Sequence, residues 1–200
     1  MQKFAHIISN LFQPLLFPTY SLILLFQVGN FAYTDFSYKA FTIFSIFLLT
    51  AIVPLVVILV LKKMGVVSSI QLSERKERTV PYLFTIFSYI AAVIFLWRIY
   101  MPSYIVAMMT GIVTSTLIIM LINTKWKISA HLSAMGGLCA AIIVVSFHSA
   151  LNPVWVLSMA FILAGLVATS RIFLKVHTPM QTLAGFCMGF LFMFVFGMMY

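Results

Sequence analysis

The chain has 200 residues, of which 64% are hydrophobic and only 8% charged. A soluble domain carries about 25% charged residues, and a disordered chain needs low hydrophobicity with high charge, so both classes are excluded. Twelve Lys and Arg against three Asp and Glu give a formal charge of +9, but the cations fall in short gaps between apolar runs. That placement points to lipid headgroups or a phosphorylated substrate and away from nucleic acid.

With a mean hydropathy of +1.15, the expected class is an integral membrane protein. A spanning helix needs about 20 mostly apolar residues. Seven such runs follow one another, which predicts a single all-α domain over 1–200, a polytopic transmembrane helix bundle. The first run is expected over 13–29, interrupted by Pro14 and Pro18. The second covers 41–61, where Pro54 predicts a kink. The others cover 81–97, 102–122, 129–147, 153–169 and 179–199. Several open on proline, which suits the first helical position because the missing N–H has no partner there. The amino terminus carries one basic residue, Lys3, and no small-residue cleavage site, so it reads as mature sequence and not as a signal peptide.

The gaps hold no soluble domain, and the chain has no internal repeat. Cys139 and Cys187 lie inside apolar runs and form no C-x-x-C pair, so neither a disulfide framework nor a zinc site is expected. Helix contacts in lipid rely on small residues. Ser129, Ser133, Gly137 and Ala141 recur at spacings of four in the fifth run, and Gly185-x-x-x-Gly189 lies in the seventh. Both predict packing seams.

Two crossings separate the gap after span two from the gap after span four, and that one from the gap after span six. All three therefore lie on one membrane face. They hold the unusual polar residues: Glu74, Arg75, Lys76, Glu77, Arg78 and Pro81 in the first; Lys125, Lys127, Ser129, Ala130 and His131 in the second; Ser170, Arg171, His177, Thr178, Pro179 and Gln181 in the third. This inventory suits phosphate chemistry. Arginine offers a planar fork of donors to phosphate oxygens. Ser129 and His131 sit at a helix start, where free N–H groups favour an anion. One histidine can attack phosphorus and the other can protonate the leaving oxygen. No carboxylate cluster offers a metal site, so the expected mechanism uses neither metal nor cofactor.

The arrangement resembles the type-2 phosphatidic acid phosphatase superfamily, membrane phosphatases that share a core with vanadium haloperoxidases. The motifs of that family are K-x6-R-P, P-S-G-H and S-R-x5-H-x3-D. The third is best kept here: Ser170-Arg171, five residues, His177, three residues, then Gln181 in place of Asp. The second survives as Ile128-Ser129-Ala130-His131. The first is loosest, with Arg78 and Pro81 three apart and Arg75 or Lys76 standing for the lysine. The resemblance covers 75–189. It implies His177 as nucleophile and His131 as general acid. It further implies Arg171 with its neighbour Ser170, Ser129 and the Ala130 amide around the phosphate. Arg78 with Arg75 or Lys76 would complete the cradle, and Gln181 would orient His177. A glutamine oxygen can fix the imidazole tautomer but carries no charge. In a serine-protease triad the aspartate-to-amide change costs roughly 10⁴ in rate, through a wrong tautomer.

Plainer readings compete at several positions. Thr178, Pro179 and Gln181 fit a capping box, and Ser129 fits a helix cap. Glu74 and Glu77 are expected in local ion pairs with Arg78 or Lys76, or as a gate on the cradle. Lys62, Lys63 and Lys125 suit headgroup contacts, and His6 and His148 lack polar company. The function expected is a metal-free phosphatase of a lipid phosphate or diphosphate; diacylglycerol and polyprenyl tails both fit. The alternative is a catalytically weak or inactive membrane protein on the same scaffold, binding lipid headgroups or a partner. A transporter is disfavoured because the spans hold almost no ionisable residues. Ten of the twelve cations, all but Lys39 and Arg98, fall on the motif side. The positive-inside rule thus makes that face cytoplasmic in the cell (inner) membrane, whereas the resemblance implies the outer face.

Overall fold

The computed structural model describes residues 2–72 and 74–200, with Gly29 and Asn30 described by backbone alone. Among them there is helix and no strand. The helices are α1 (Gln2–Leu11), α2 (Phe17–Leu25), α3 (Phe36–Phe47), α4 (Val53–Lys63), α5 (Thr79–Arg98), α6 (Ser103–Asn123), α7 (Ala130–Ser149), α8 (Val154–Phe173) and α9 (Pro179–Met198). They make seven segments long and apolar enough to cross a bilayer. This all-α architecture is the expected one, and it is compatible with an integral membrane protein.

The first segment departs from expectation. It runs Gln2–Leu25 and does not begin at residue 13. Pro14 and Pro18 do not fray one helix. Each opens a helical piece: Pro14 starts a 3₁₀ turn and Pro18 sits in the first turn of α2. Ahead of them α1 is amphipathic. Polar residues Gln2, Lys3, His6, Ser9 and Asn10 interrupt the apolar run, which hides the helix from a search for continuous hydrophobicity.

The second segment, Phe36–Lys63, passes through a π-helical turn at Leu48–Ile52, just before the proline expected to kink it. Pro54 cannot donate to the preceding turn, and the ladder re-forms with a wider ring. The disturbed carbonyls find hydroxyls: Ser88 of α5 donates to Leu49 O, and Thr50 donates to Ile46 O at 2.8 Å.

Helix α7 is the buried centre. It packs most extensively on α9, which also packs on α6. The small-residue runs form this seam. A Cβ at Gly185 would overlap the Ser129 carbonyl oxygen, and one at Gly189 the Ser133 carbonyl oxygen. The α7 and α9 backbones are therefore in contact, as small-residue seams permit. A backbone bond from Ser129 N–H to Gln181 O at 3.2 Å closes the seam where both helices begin. The two helix starts that carry the histidines thus lie side by side.

Candidate functional site

The third motif owes its spacing to the way α8 ends. Helix α8 stops at Phe173, and Lys175 takes a left-handed conformation at φ 54°. The Val176 and His177 N–H groups then bond back to Arg171 O at 3.1 and 3.4 Å. This is a helix-terminating turn of the Schellman kind. It carries His177 back beside Arg171. Thr178 then caps α9 and Pro179 occupies its first position.

His131, His177, Arg78, Arg171 and Ala130 line one cavity of about 190 Å³. Residues separated by up to four crossings in sequence meet there, consistent with the shared face that an even span count predicts. The other expected cradle residues are engaged elsewhere. Arg75 donates to Asn123 O at 3.3 Å and to Thr124 O, closing the end of α6. Lys76 is exposed. The 3₁₀ turn Lys76–Arg78 sends successive side chains in different directions, so only Arg78 turns inward. Ser129 is buried and caps α7, accepting from Leu132 N–H at 3.5 Å. The Ser170 hydroxyl donates within α8 to Leu166 O at 2.8 Å. Local ion pairs of Glu74 and Glu77 are not formed among the described residues. The Glu77 carboxylate instead accepts from the Ser68 N–H and hydroxyl, both at 2.9 Å.

The two cavity arginines are only 4% and 6% exposed. Arg78 donates from Nε to Leu72 O at 2.8 Å and from Nη1 to Ile128 O at 3.3 Å. Arg171 donates from Nη1 to the Ser9 hydroxyl, and its Nε has no partner. Among the described residues no carboxylate forms an ion pair with either. A buried charge without a counter-charge is costly, and buried polar groups are normally hydrogen-bonded. The cavity therefore presents uncompensated positive charge suited to an anion.

Both expected roles of Gln181 are filled at once by one atom. Its Oε1 accepts from Thr178 N–H at 3.2 Å and lies 3.2 Å from His177 Nδ1. The Thr178 N–H can only donate, so that atom is the amide oxygen, and His177 carries its proton on Nδ1. Nε2 is left with its lone pair. His131 is held the other way: its Nε2 lies 3.2 Å from the Ser9 carbonyl, which can only accept, so Nε2 bears the proton. The two imidazoles occupy opposite tautomers.

Burial first, then the Arg78 and Arg171 guanidiniums, hold the His177 imidazole down at about 3. The same burial, with Arg78 next, lowers Lys127. His177 is therefore neutral at pH 7. Unfolded histidine titrates near 6.5. Between 6.5 and 3 the unfolded chain takes up a proton that folded His177 refuses, so this residue lowers stability as pH falls through that window. His177→Asn should flatten the acid limb of a pH–stability curve in detergent; an unchanged limb would contradict the lowered value.

The same cavity is also lined by the apolar residues Phe17, Ile58, Ile112, Ile119, Leu138 and Met193. Ser9 and Tyr82 are the functional-site residues that motif reasoning missed. Tyr82 follows Pro81 at the start of α5. The signal for Ser9 was its place on the polar face of α1. No protein-family model matches this chain, and no curated protein or solved structure matches it significantly.

Proposed function

We propose that this protein is an integral membrane phosphatase that releases phosphate from a lipid phosphate or diphosphate through a phosphohistidine. The observation that carries the reading is the pair of buried, uncompensated guanidiniums beside two histidines held through opposite ring nitrogens, Nδ1 of His177 and Nε2 of His131. The cavity supports it further, since its lining combines cationic and histidine side chains with apolar ones, as a phosphate joined to a lipid tail requires. His177 Nε2 attacks phosphorus, the N–P bond forms, and the P–O bond to the lipid breaks. His131 takes the remaining acid proton of the bound phosphate monoanion and gives it to the leaving oxygen. Water then attacks the phosphohistidine and gives a proton to His131; the P–N bond breaks, and inorganic phosphate leaves with that proton. Arg78 and Arg171 hold the phosphate oxygens, where charge builds.

The test is phosphate release by pure protein in nanodiscs from a panel of lipid phosphates and diphosphates. His177→Ala is expected to abolish it, along with an acid-labile phosphoenzyme in the wild type. Gln181→Glu is expected to raise it, because the longer carboxylate keeps the Thr178 bond and adds the charge that stabilises imidazolium. Gln181→Asp, which places the residue of the resembled motif there, is expected to keep or raise it by restoring the imidazolium partner. An active His177→Ala protein would remove the proposed nucleophile. Phosphate binding with no release from any substrate would favour the headgroup-binding alternative.

Charge bias supports a cytoplasmic position for this face. The seventh span then puts Tyr200 outside. A carboxyl-terminal reporter active only in the cytoplasm would reverse that assignment.

A further inference from the structure

Helix α1 lies outside every motif, yet it reaches into the site. Its buried face consists of Ala5 and Ser9, one turn apart, and α1 packs along α8. Phe4, Ile7 and Leu11 point outward and are exposed. Ser9 is 5% exposed and makes two contacts across 122 and 162 residues of sequence. Its main-chain carbonyl holds His131 Nε2, and its hydroxyl holds Arg171 Nη1.

We propose that Ser9 is a positioning residue for both His131 and Arg171; the proposal rests on the phosphatase reading above. The carbonyl keeps a proton on His131 Nε2. His131 Nδ1 has no protein partner among the described residues, so it is the nitrogen that exchanges a proton with substrate. As a lipid phosphate monoanion binds, Nδ1 takes its remaining acid proton, and in the first step passes that proton to the leaving lipid oxygen as the P–O bond breaks and the His177 N–P bond forms. In the second step Nδ1 takes a proton from the attacking water as the new P–O bond forms and the P–N bond breaks, and it returns that proton to the departing phosphate. The hydroxyl occupies Arg171 Nη1, and the unpartnered Nε leaves that edge of the guanidinium for phosphate oxygens. One residue of the amino-terminal helix thus selects the working nitrogen of the acid and the working edge of the cation. Ala5 against α8 holds Ser9 at that depth.

The experiment compares wild type, Ser9→Ala, Ser9→Thr and Ala5→Phe in nanodiscs. Histidine ¹⁵N spectra report the tautomers, titration with inorganic phosphate reports the anion site, and lipid phosphate hydrolysis reports kcat and KM. Ser9→Ala should weaken inorganic phosphate binding about tenfold, the size of one hydrogen bond to a charged group. It should lower kcat more than it raises KM and leave His131 protonated on Nε2. Ser9→Thr, which keeps a hydroxyl, should restore binding and kcat. Ala5→Phe wedges α1 from α8 and should turn the His131 signal into a mixture of tautomers. The proposal is overturned if wild-type His131 carries its proton on Nδ1, if Ser9→Ala binds phosphate like wild type, or if Ser9→Thr rescues nothing. Should the wild type release no phosphate, the phosphatase reading falls, and the tautomer and phosphate titrations still decide the role of Ser9.

Discussion

Arg171→Met is expected to cut phosphate release by about 10²–10³, the usual loss on removing one preorganised donor, while leaving the fold as stable as wild type or more so by ~1–4 kcal/mol. The opposed signs follow from its partners. Arg171 is buried, gives one hydrogen bond to Ser9, leaves Nε unpartnered and meets no carboxylate among the described residues. Its charge is a cost to the fold that the anion of the proposed function would offset. Methionine removes the cost and fills similar space. Arg78 is the contrast. Its bonds to Leu72 O and Ile128 O tie two loops together, so Arg78→Met orphans buried carbonyls and should cost stability, by about 1–3 kcal/mol per carbonyl. Thermal unfolding in detergent alongside phosphate release measures both. If Arg171→Met destabilises the protein as much as Arg78→Met does, Arg171 is a structural fixture.

Gly189→Val should destabilise the bundle by about 3 kcal/mol or more, because overpacking at a rigid contact has nowhere to relax. The Cβ would overlap the Ser133 carbonyl oxygen, carbon and Cα, which are backbone atoms of α7 and cannot rotate away. Forcing the seam open also separates the α7 and α9 starts, so activity should fall with stability. Gly165 supplies the control, since nothing lies within 4 Å of a Cβ built there. Gly165→Ala should be neutral or stabilising by up to ~1 kcal/mol, the helix-propensity difference. Folded yield and thermal midpoint in one detergent compare the two. A Gly189→Val protein as stable as wild type would show that α7 and α9 do not approach this closely.

Residue order alone is enough to define the helical bundle, the span order from the second segment onward, the α7–α9 seam and the meeting of His131, His177, Arg78 and Arg171. Each follows from one-dimensional rules: apolar run length, proline position, small residues at spacings of four, and the parity of crossings. The rest needed three dimensions. The run at 74–81 offered Arg78 together with Arg75 or Lys76, and only the 3₁₀ turn and the end of α6 separated the inward cation from the outward ones. Ser129 was open between cap and cradle until its hydroxyl was seen on Leu132 N–H. Gln181 read as either a cap or an orienter, and the fold makes one oxygen serve both, because His177 Nδ1 and Thr178 N–H both come within 3.2 Å of it. Ser9 stood in the sequence only as one polar residue of α1: its partners are more than a hundred residues away, and a main-chain carbonyl leaves no mark in residue identity. Apolar periodicity specifies which helices form and where they cross. Which donor meets which acceptor depends on side-chain direction and helix-end geometry, and those are decided only when the helices pack.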